Sequence, residues 1–457
     1  MAEYRQMLSE VAATVGGQLL GPDVAFDGIN TDTRNIKAGQ LFVALKGPNF
    51  DGHDFVRDAL NKGSAGVMVS QAQKIDQPQI IVSDTQWALG QLAAAWRNQF
   101  SIPVVAVTGS NGKTTVKEMI AAILQQQGTV LSTRGNLNNE IGVPLTLLRL
   151  NTSHDSAVIE EGASHAGDIA YLTRLVSPTV AVVTNAAGAH LEGFGSLDVV
   201  ANTKGEIFEN LPENGTAIIN ADDQYVSLWQ SMADKREIVT FGMNAEANVK
   251  GALLESNTCA ECHLNMTTPI GDCVVSLHLP GQHNAMNALA AAAVAIAVGV
   301  ELDVIKKGLE TVKPVPGRLQ WKNGINGAQI LDDTYNANPA SLAAALKVLS
   351  SCPGDHYLAL GDMAELGDET KGYHQRAGHQ ARSSGVHRLY AVGEYARFAA
   401  EAFGDRAWHF SKQEQLVDRL REDLTTDVTL LVKGSRSSRM DKVVEALEVP
   451  QAVGSIG

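Results

Sequence analysis

VVAVTGSNGKTTVKEMIAAILQQQG, residues 104–128, is the stretch whose reading decides the fold. Its apolar start makes a buried strand, Gly109-Ser110-Asn111-Gly112 makes a turn, and Lys113, Thr114 and Thr115 open a helix. Glycines let the backbone curl so that successive N–H groups and the helix N-terminus face a phosphate; Lys113 can reach the outer phosphate oxygens and the Thr114 hydroxyl can ligate Mg²⁺. The usual spacing would put the first glycine at position 107, which is Val107, so this is a shortened phosphate loop. Gly109, Asn111, Gly112, Lys113, Thr114 and Thr115 are the candidate nucleotide-binding residues.

Outward from this loop, short apolar runs end abruptly in polar residues and pass into helical periodicity. They are SAVIEEG, TVAVVTNA and TAIINADD, then AQILDDTYN, YLALGDM, RLYAVGE and TLLVKGS. This is the signature of parallel strands with crossover helices, whose ligands sit at the carboxyl ends of the strands. A hairpin-like insertion is expected near 246–280 and a helix over Ala285–Ala297. KPVPGRLQW then breaks the pattern, and three strand and helix units follow as a small doubly wound domain. The first 85 residues carry Gly-punctuated short strands, with a connecting helix over Trp87–Arg97. The expectation is an α/β protein of three domains, 1–85, 86–313 and 314–457, with a P-loop parallel-sheet domain at the centre and a Rossmann-like domain at the end.

Length and composition agree. A chain of 457 residues, 44% hydrophobic and 19% charged, can bury about three cores, which excludes wholesale disorder. Its formal charge is −14 and no window holds a long basic run, so nucleic acid is not an expected partner. The opening MAEYRQMLSEVAATVGG is amphipathic rather than signal-like, and the longest apolar run, Ala288–Val300, is far short of the ~20 residues that span a bilayer. A cytoplasmic, monomeric protein without membrane contact is expected. Four cysteines are too few for a disulfide framework. Cys259, Cys262, His263 and Cys273 have spacing that could suit zinc, but their segment alternates like hairpin strands, and ordinary strand cysteines are the reading taken.

Glu160 and Glu161 stand at the end of the next strand, where a carboxylate beside a phosphate loop is placed to hold Mg²⁺; register alone leaves either open. His190 sits in the loop after the following strand, and Lys204 comes 14 residues later. Alone, a loop histidine and a helix lysine read as solvated.

In this order the segments resemble the Mur ligase family, ATP-dependent amide ligases that build the peptide of bacterial cell-wall precursors. The resemblance covers nearly the whole chain. It includes G-x-x-G-K-T-T at 109–115, the strand-end Glu, N-x-x-x-x-H at 185–190, GQHNAMNALAA at 281–291, PGR at 316–318 and DDTYNANP at 332–339. With LALGDMAELGDET, NLNNEIGVP and TDTRNIKAGQLFVALKGPNFDGHDF, it is closest to the members that add D-Ala-D-Ala to UDP-N-acetylmuramoyl-tripeptide through an acyl phosphate, in peptidoglycan precursor synthesis. The D-N-P-R tetrad of the diaminopimelate-adding members is absent.

The resemblance implies ATP and Mg²⁺ as cofactors. It implies Lys113 on the phosphates; Thr114 and Glu160 as Mg²⁺ ligands, with Glu161 in a usually apolar position; His190 at a second Mg²⁺; and Lys204 as a carbamate. It places Asn284 and Asn287 near adenine, Arg318 at the γ-phosphate and Asp333 at the ribose. Thr33 and Arg34 resemble a uridine-binding segment in an N-terminal UDP-substrate domain. Asn136 and Asn139 are substrate candidates, and Asn336 and Asn338 are candidates for the incoming dipeptide. Another Mur-type amino acid ligase is the alternative enzyme. A P-loop regulatory protein is the alternative of a different class, although no N-K-x-D guanine signature follows the loop.

Overall fold

The structure, a computed structural model, describes residues 5–188, 194–255 and 259–449. Among them the strands form three mixed sheets and one small ribbon, Arg5–Met7 against Ala25–Asp27.

The central sheet has nine strands. From edge to edge they are Gly271–Leu277, Cys262–Thr268, Val249–Leu253, Glu237–Gly242, Thr216–Asn220, Val180–Val183, Val104–Thr108, Ser156–Glu160 and Val130–Ser132. The last seven of these run parallel; the first two are antiparallel additions. The segment expected as a hairpin insertion is thus an extension of the same sheet. Its alternation of apolar and polar residues reflects cover on one face only, whereas the uniformly apolar Val104–Thr108 is buried on both.

Helix Gln282–Ala297 is apolar nearly all round, and Ala288–Ala295 are buried because it is enclosed by the sheet and by helix Lys113–Leu124. Small side chains let these helices approach closely. The phosphate-loop helix is therefore wedged between sheet and protein, and cannot shift without opening the core.

The N-terminal sheet orders Gln18–Leu20, Gln79–Ile81, Gly66–Val69, Leu41–Val43 and Ile29–Asn30. Helix Thr85–Arg97 leaves it under a cap from Asp84, whose carboxylate accepts from the N–H groups of Gln86 and Trp87. Leu89 and Leu92 on this helix join one apolar core that runs from Leu8 and Ile80 to Val104 and Ala106. At its far end Arg97 donates to the carbonyls of Val176 and Ser177. The first two sheets are separate, but the core between them is continuous.

The third sheet runs Gln320–Asn323, Gln329–Asp333, Val428–Lys433, Asp355–Gly361, Arg388–Val392 and Ala407–Phe410. Only its first strand is antiparallel, and apolar clusters cover both faces. The α/β class and the three-sheet plan agree with the sequence reading. Among the described residues no helix is long and apolar enough to cross a membrane.

Close packing is sharpest at Gly308 in helix Leu302–Glu310, where a β-carbon would lie 2.5 Å from the Ile123 Cα. Alanine there would gain about 1 kcal/mol of helix propensity but force two helices apart at a cost of about 1–3 kcal/mol. Gly308→Ala should therefore lower the urea midpoint; a midpoint equal to or above the parent's contradicts the packing argument.

Candidate active site

The chain leaves strand Val104–Thr108 at Gly109, with φ 141°, where a β-carbon would lie 2.0 Å from the Thr184 hydroxyl oxygen. At Gly112, φ 83°, it would lie 2.4 Å from Asn287 Oδ1. Only glycine meets both demands. Asn185 clamps the loop between them: its Oδ1 accepts from the Asn111 N–H and its Nδ2 donates to the Asn111 carbonyl, both at 3.1 Å. Helix Lys113–Leu124 has Gly112 at its N-cap and no side-chain cap, so its first N–H groups and its dipole are presented to an anion. Lys113 Nζ donates to the Gly109 carbonyl at 2.7 Å, and burial pushes its ammonium below the usual range despite the opposing charge of Glu160.

Glu160 ends the neighbouring strand, 2% exposed, and faces the same cleft. Its Oε1 accepts from Asn138 Nδ2 at 2.8 Å; its buried Oε2 has no partner. A buried carboxylate oxygen without a donor is costly and is suited to a cation. Because successive strand residues face opposite sides, Glu161 turns into the protein, where its Oε2 accepts from the Thr173 hydroxyl at 2.7 Å. Burial pushes the Glu161 carboxyl up to about 8. Lys204, from helix Leu197–Glu209, is 2% exposed, lies over the Phe194 ring, and is pushed down to about 7 by burial and then by Lys113.

The third domain closes the other side. Arg318 Nη2 donates to the Thr114 hydroxyl at 3.1 Å while its guanidinium stacks on Tyr335, 4.3 Å from the ring centre. Asn338 caps helix Pro339–Leu349 through Ser341 and uses its Nδ2 to reach Asn111 Oδ1 at 2.9 Å. Asp333 pairs with Lys433, which also donates to the Asn336 carbonyl at 3.0 Å. The resulting cleft, about 800 Å³, is lined by both domains. Lys113, Lys313, Arg318 and Lys433 converge on it among Glu118, Glu140, Glu160, Asp168 and Asp333, so cations and carboxylates are set side by side in one cleft.

A phosphate loop, an unpartnered carboxylate and an arginine from a second domain meet here, in a chain whose three sections match three family models. These are "Mur ligase family, catalytic domain" over residues 25–97, "Mur ligase middle domain" over 107–295 and "Mur ligase, glutamate ligase domain" over 317–436. The UDP-N-acetylmuramoyl-tripeptide–D-alanyl-D-alanine ligase of Escherichia coli (strain K12) is 48% identical, over 96% of this chain and 98% of that protein. Its namesake from Bacillus subtilis (strain 168) is 34% identical, over 97% and 98%. The chain belongs to the Mur ligase family.

Solved Mur ligases agree in shape. A crystal structure of MurF from Acinetobacter baumannii superimposes with a TM-score of 0.93 at 34% identity, covering 97% of this chain and 99% of that one. MurF ligase from Thermotoga maritima, in complex with ADP, gives 0.82 at 28% identity, covering 92% and 96%.

Of the residues named from sequence, Asn111, Gly112, Lys113, Thr114, Thr115, Asn139, Glu160, Asn284, Asn287, Arg318, Asp333, Asn336 and Asn338 line this Mur ligase cleft. Gly109 begins the loop but is not part of the lining, and Lys204 is buried outside the lining. Asn284 is engaged with the Pro280 carbonyl and with Asn287. Asn136 is exposed and outside the lining, while Asn138, two residues on, is the one that holds Glu160. Thr33 and Arg34 lie in the N-terminal domain, where the Thr33 carbonyl accepts from Lys62 and Arg34 clamps Asp32. His190 lies outside the described residues. Sequence reasoning missed Asn138, Asn185, His283 and Lys433. His283 also lines the cleft, and burial pushes its imidazole down to about 4, so it is neutral at pH 7. Of the cysteines, Cys262 and Cys273 lie on strands as expected, but Cys259 precedes its strand, and no metal-binding cluster occurs among the described residues.

A carboxyl held up to about 8 keeps a proton that the unfolded chain, near 4.5, has released. Its burial therefore costs little in acid and destabilises the fold increasingly as pH rises from about 4.5 to 8. Glu161→Gln should be more stable than the parent at pH 8, by an advantage that fades toward pH 4.5 in denaturant titrations. An advantage of constant size across that range contradicts the assignment.

Proposed function

We propose that this chain joins D-Ala-D-Ala to UDP-N-acetylmuramoyl-tripeptide with ATP as energy source, a step of peptidoglycan precursor synthesis. It is an ATP-dependent amide ligase. The observation that carries the reading is the phosphate loop, with Lys113 and open helix N–H groups, facing Arg318 of another domain across one cleft.

A carboxylate is a poor acyl donor, so amide formation in water needs an activated leaving group. In the reaction, the tripeptide's terminal carboxylate oxygen takes the γ-phosphoryl group and ADP departs. The dipeptide amine then attacks the acyl carbon, loses a proton, and phosphate leaves. Lys113, the loop N–H groups and Arg318 are placed to hold the phosphoryl oxygens as charge moves between them, the term that dominates phosphoryl transfer. Closure of the third domain would shield the acyl phosphate from water.

The donor set suits Mg²⁺: Glu160 Oε2 is buried without a partner, and the Thr114 hydroxyl opens onto the same cleft. Thr114 and Glu160 would hold one ion and His190 a second, with a carbamylated Lys204 supporting these sites, and the ions would screen the phosphate charge. Burial pushes the Lys204 ammonium toward the neutral amine, and only a neutral amine adds CO₂ to become an oxygen-bearing anion.

In this assignment residues 1–85 hold the UDP end through Thr33 and Arg34. Residues 86–313 hold ATP, with Asn284 and Asn287 toward adenine and Asn136 and Asn139 toward the tripeptide. Residues 314–457 bring Arg318, Asp333 toward the ribose, and Asn336 and Asn338 toward the dipeptide. The protein works as a cytoplasmic monomer.

Phosphate release measured across UDP-muramoyl peptides and candidate amines decides among the readings. It should require both the tripeptide substrate and D-Ala-D-Ala. Release with a single amino acid instead makes the chain another Mur-type ligase, and release needing neither makes it a simple nucleotide-binding protein. Lys113→Ala should stay folded and lose turnover by about 10³-fold or more; parent-like turnover in that variant refutes its role. Lys204→Ala should be nearly inactive and partly rescued by small carboxylic acids. Normal activity, or rescue by amines alone, removes the carbamate.

A further inference from the structure

Cys259 opens the run into strand Cys262–Thr268, and the Cys262 thiol donates to the Leu279 carbonyl at 3.4 Å, so residues 259–262 lie beside 279–282. The third domain rests on that same spot. Lys347 Nζ donates to Gln282 Oε1 at 2.7 Å, and Val348 is so near Gly281 that a β-carbon there would lie 2.6 Å from its Cγ2. Cys352 follows three residues beyond helix Pro339–Leu349. Its thiol turns between the Val348 carbonyl, at 3.4 Å, and the sulfur of Cys259. The two cysteines, 93 positions apart in sequence, thus face each other across the contact between the middle and third domains.

The pair is asymmetric. Cys259 is partly exposed and the hydrogen bond from Cys352 holds its thiol below the usual range; Cys352 is buried and the same bond pushes it up. Cys262, buried on its strand, is pushed up to about 11. A thiol that is accessible and stabilised as thiolate is the one an oxidant attacks first, and the partner beside it resolves the product.

We propose that Cys259 and Cys352 are an oxidisable pair which a peroxide converts to a disulfide, tethering the third domain to the middle domain and halting ligation. The Cys259 thiolate attacks one oxygen of hydrogen peroxide, the O–O bond breaks, and water leaves with the thiol's proton. The resulting sulfenic acid sulfur is attacked by Cys352, the S–O bond breaks, and the departing hydroxide takes the Cys352 proton as a second water. Two thiols lose two electrons and one peroxide gains them. The tether matters because Arg318 and Asn338 ride on the same domain and lie over the phosphate loop. A tether that keeps these contacts closed would slow exchange of a nucleotide held at the loop. The effect on turnover rests on the ligase reading; disulfide formation does not.

The test treats the full-length protein with hydrogen peroxide, blocks free thiols, digests it without reduction and maps linked peptides by mass spectrometry. A Cys259–Cys352 link should appear, phosphate release should fall roughly tenfold or more, and dithiothreitol should restore it. Cys259→Ser, outside the cleft, should keep parent-like turnover and resist peroxide. No such link, a link from Cys259 to Cys262 or Cys273, a link without loss of turnover, or equal inhibition of Cys259→Ser overturns the proposal. If reduced protein releases no phosphate with its substrates, the ligase reading fails, and the peptide map still decides the pairing.

Discussion

Between Thr108 and Lys113 the backbone must turn from a strand buried on both faces into a helix buried almost all round, within four residues. Thr184 and Asn287 press against Gly109 and Gly112, and Asn185 fixes Asn111 from both its N–H and its carbonyl. The protein packs so closely against both glycines that no side chain fits there, and the uncapped helix leaves its first backbone N–H groups open. The surroundings of this turn follow from it. The alanine-rich helix must be thin enough to bring Asn287 to Gly112, and the strand ends on either side deliver Glu160 and Asn185.

Cations and carboxylates are interleaved in the cleft: Lys113, Arg318 and Lys433 line it with Glu160 and Asp333, and Lys204 is buried within reach of the Lys113 charge. Burial and mutual repulsion press Lys113 and Lys204 toward neutrality. Such a cluster is a poor contributor to stability and a good receptor for a polyanion with a divalent cation. Half of it arrives on a separate domain. Assembly of the site and exclusion of water are then one event, which suits an intermediate that water would destroy.

The phosphate loop was legible because its chemistry is local: glycines, a lysine and a hydroxyl within seven residues. Strand ends such as VIEEG were legible from apolar runs stopped by charge, although only the register shows that Glu160 faces the cleft and Glu161 the interior. What escaped sequence reading depends on tertiary neighbours. Asn185 reads in sequence only as the first residue of a motif that ends in a histidine, yet it holds the loop. Lys433 was read only as the end of TLLVKGS, yet parallel pairing sets it opposite Asp333. Within NLNNEIGVP only the turn's geometry shows that Asn138 holds Glu160 and that Asn139 lines the cleft. Cys259 looked like half of C-x-x-C, and its partner is Cys352, in another domain. No local pattern encodes contacts of that kind.

The third domain completes a site which the middle domain only begins, with Asn338 on the phosphate loop and Arg318 on the first turn of the helix that follows it. The direct measurement compares Arg318→Ala with the parent in two readouts: ATP binding by calorimetry, and phosphate release with both substrates saturating. Turnover should fall about 10²–10³-fold, because a charge aimed at the transferring group is lost. ATP affinity should change by less than about tenfold, because the loop and Lys113 remain. Turnover within a few-fold of the parent would contradict the view that the third domain's arginine completes the site.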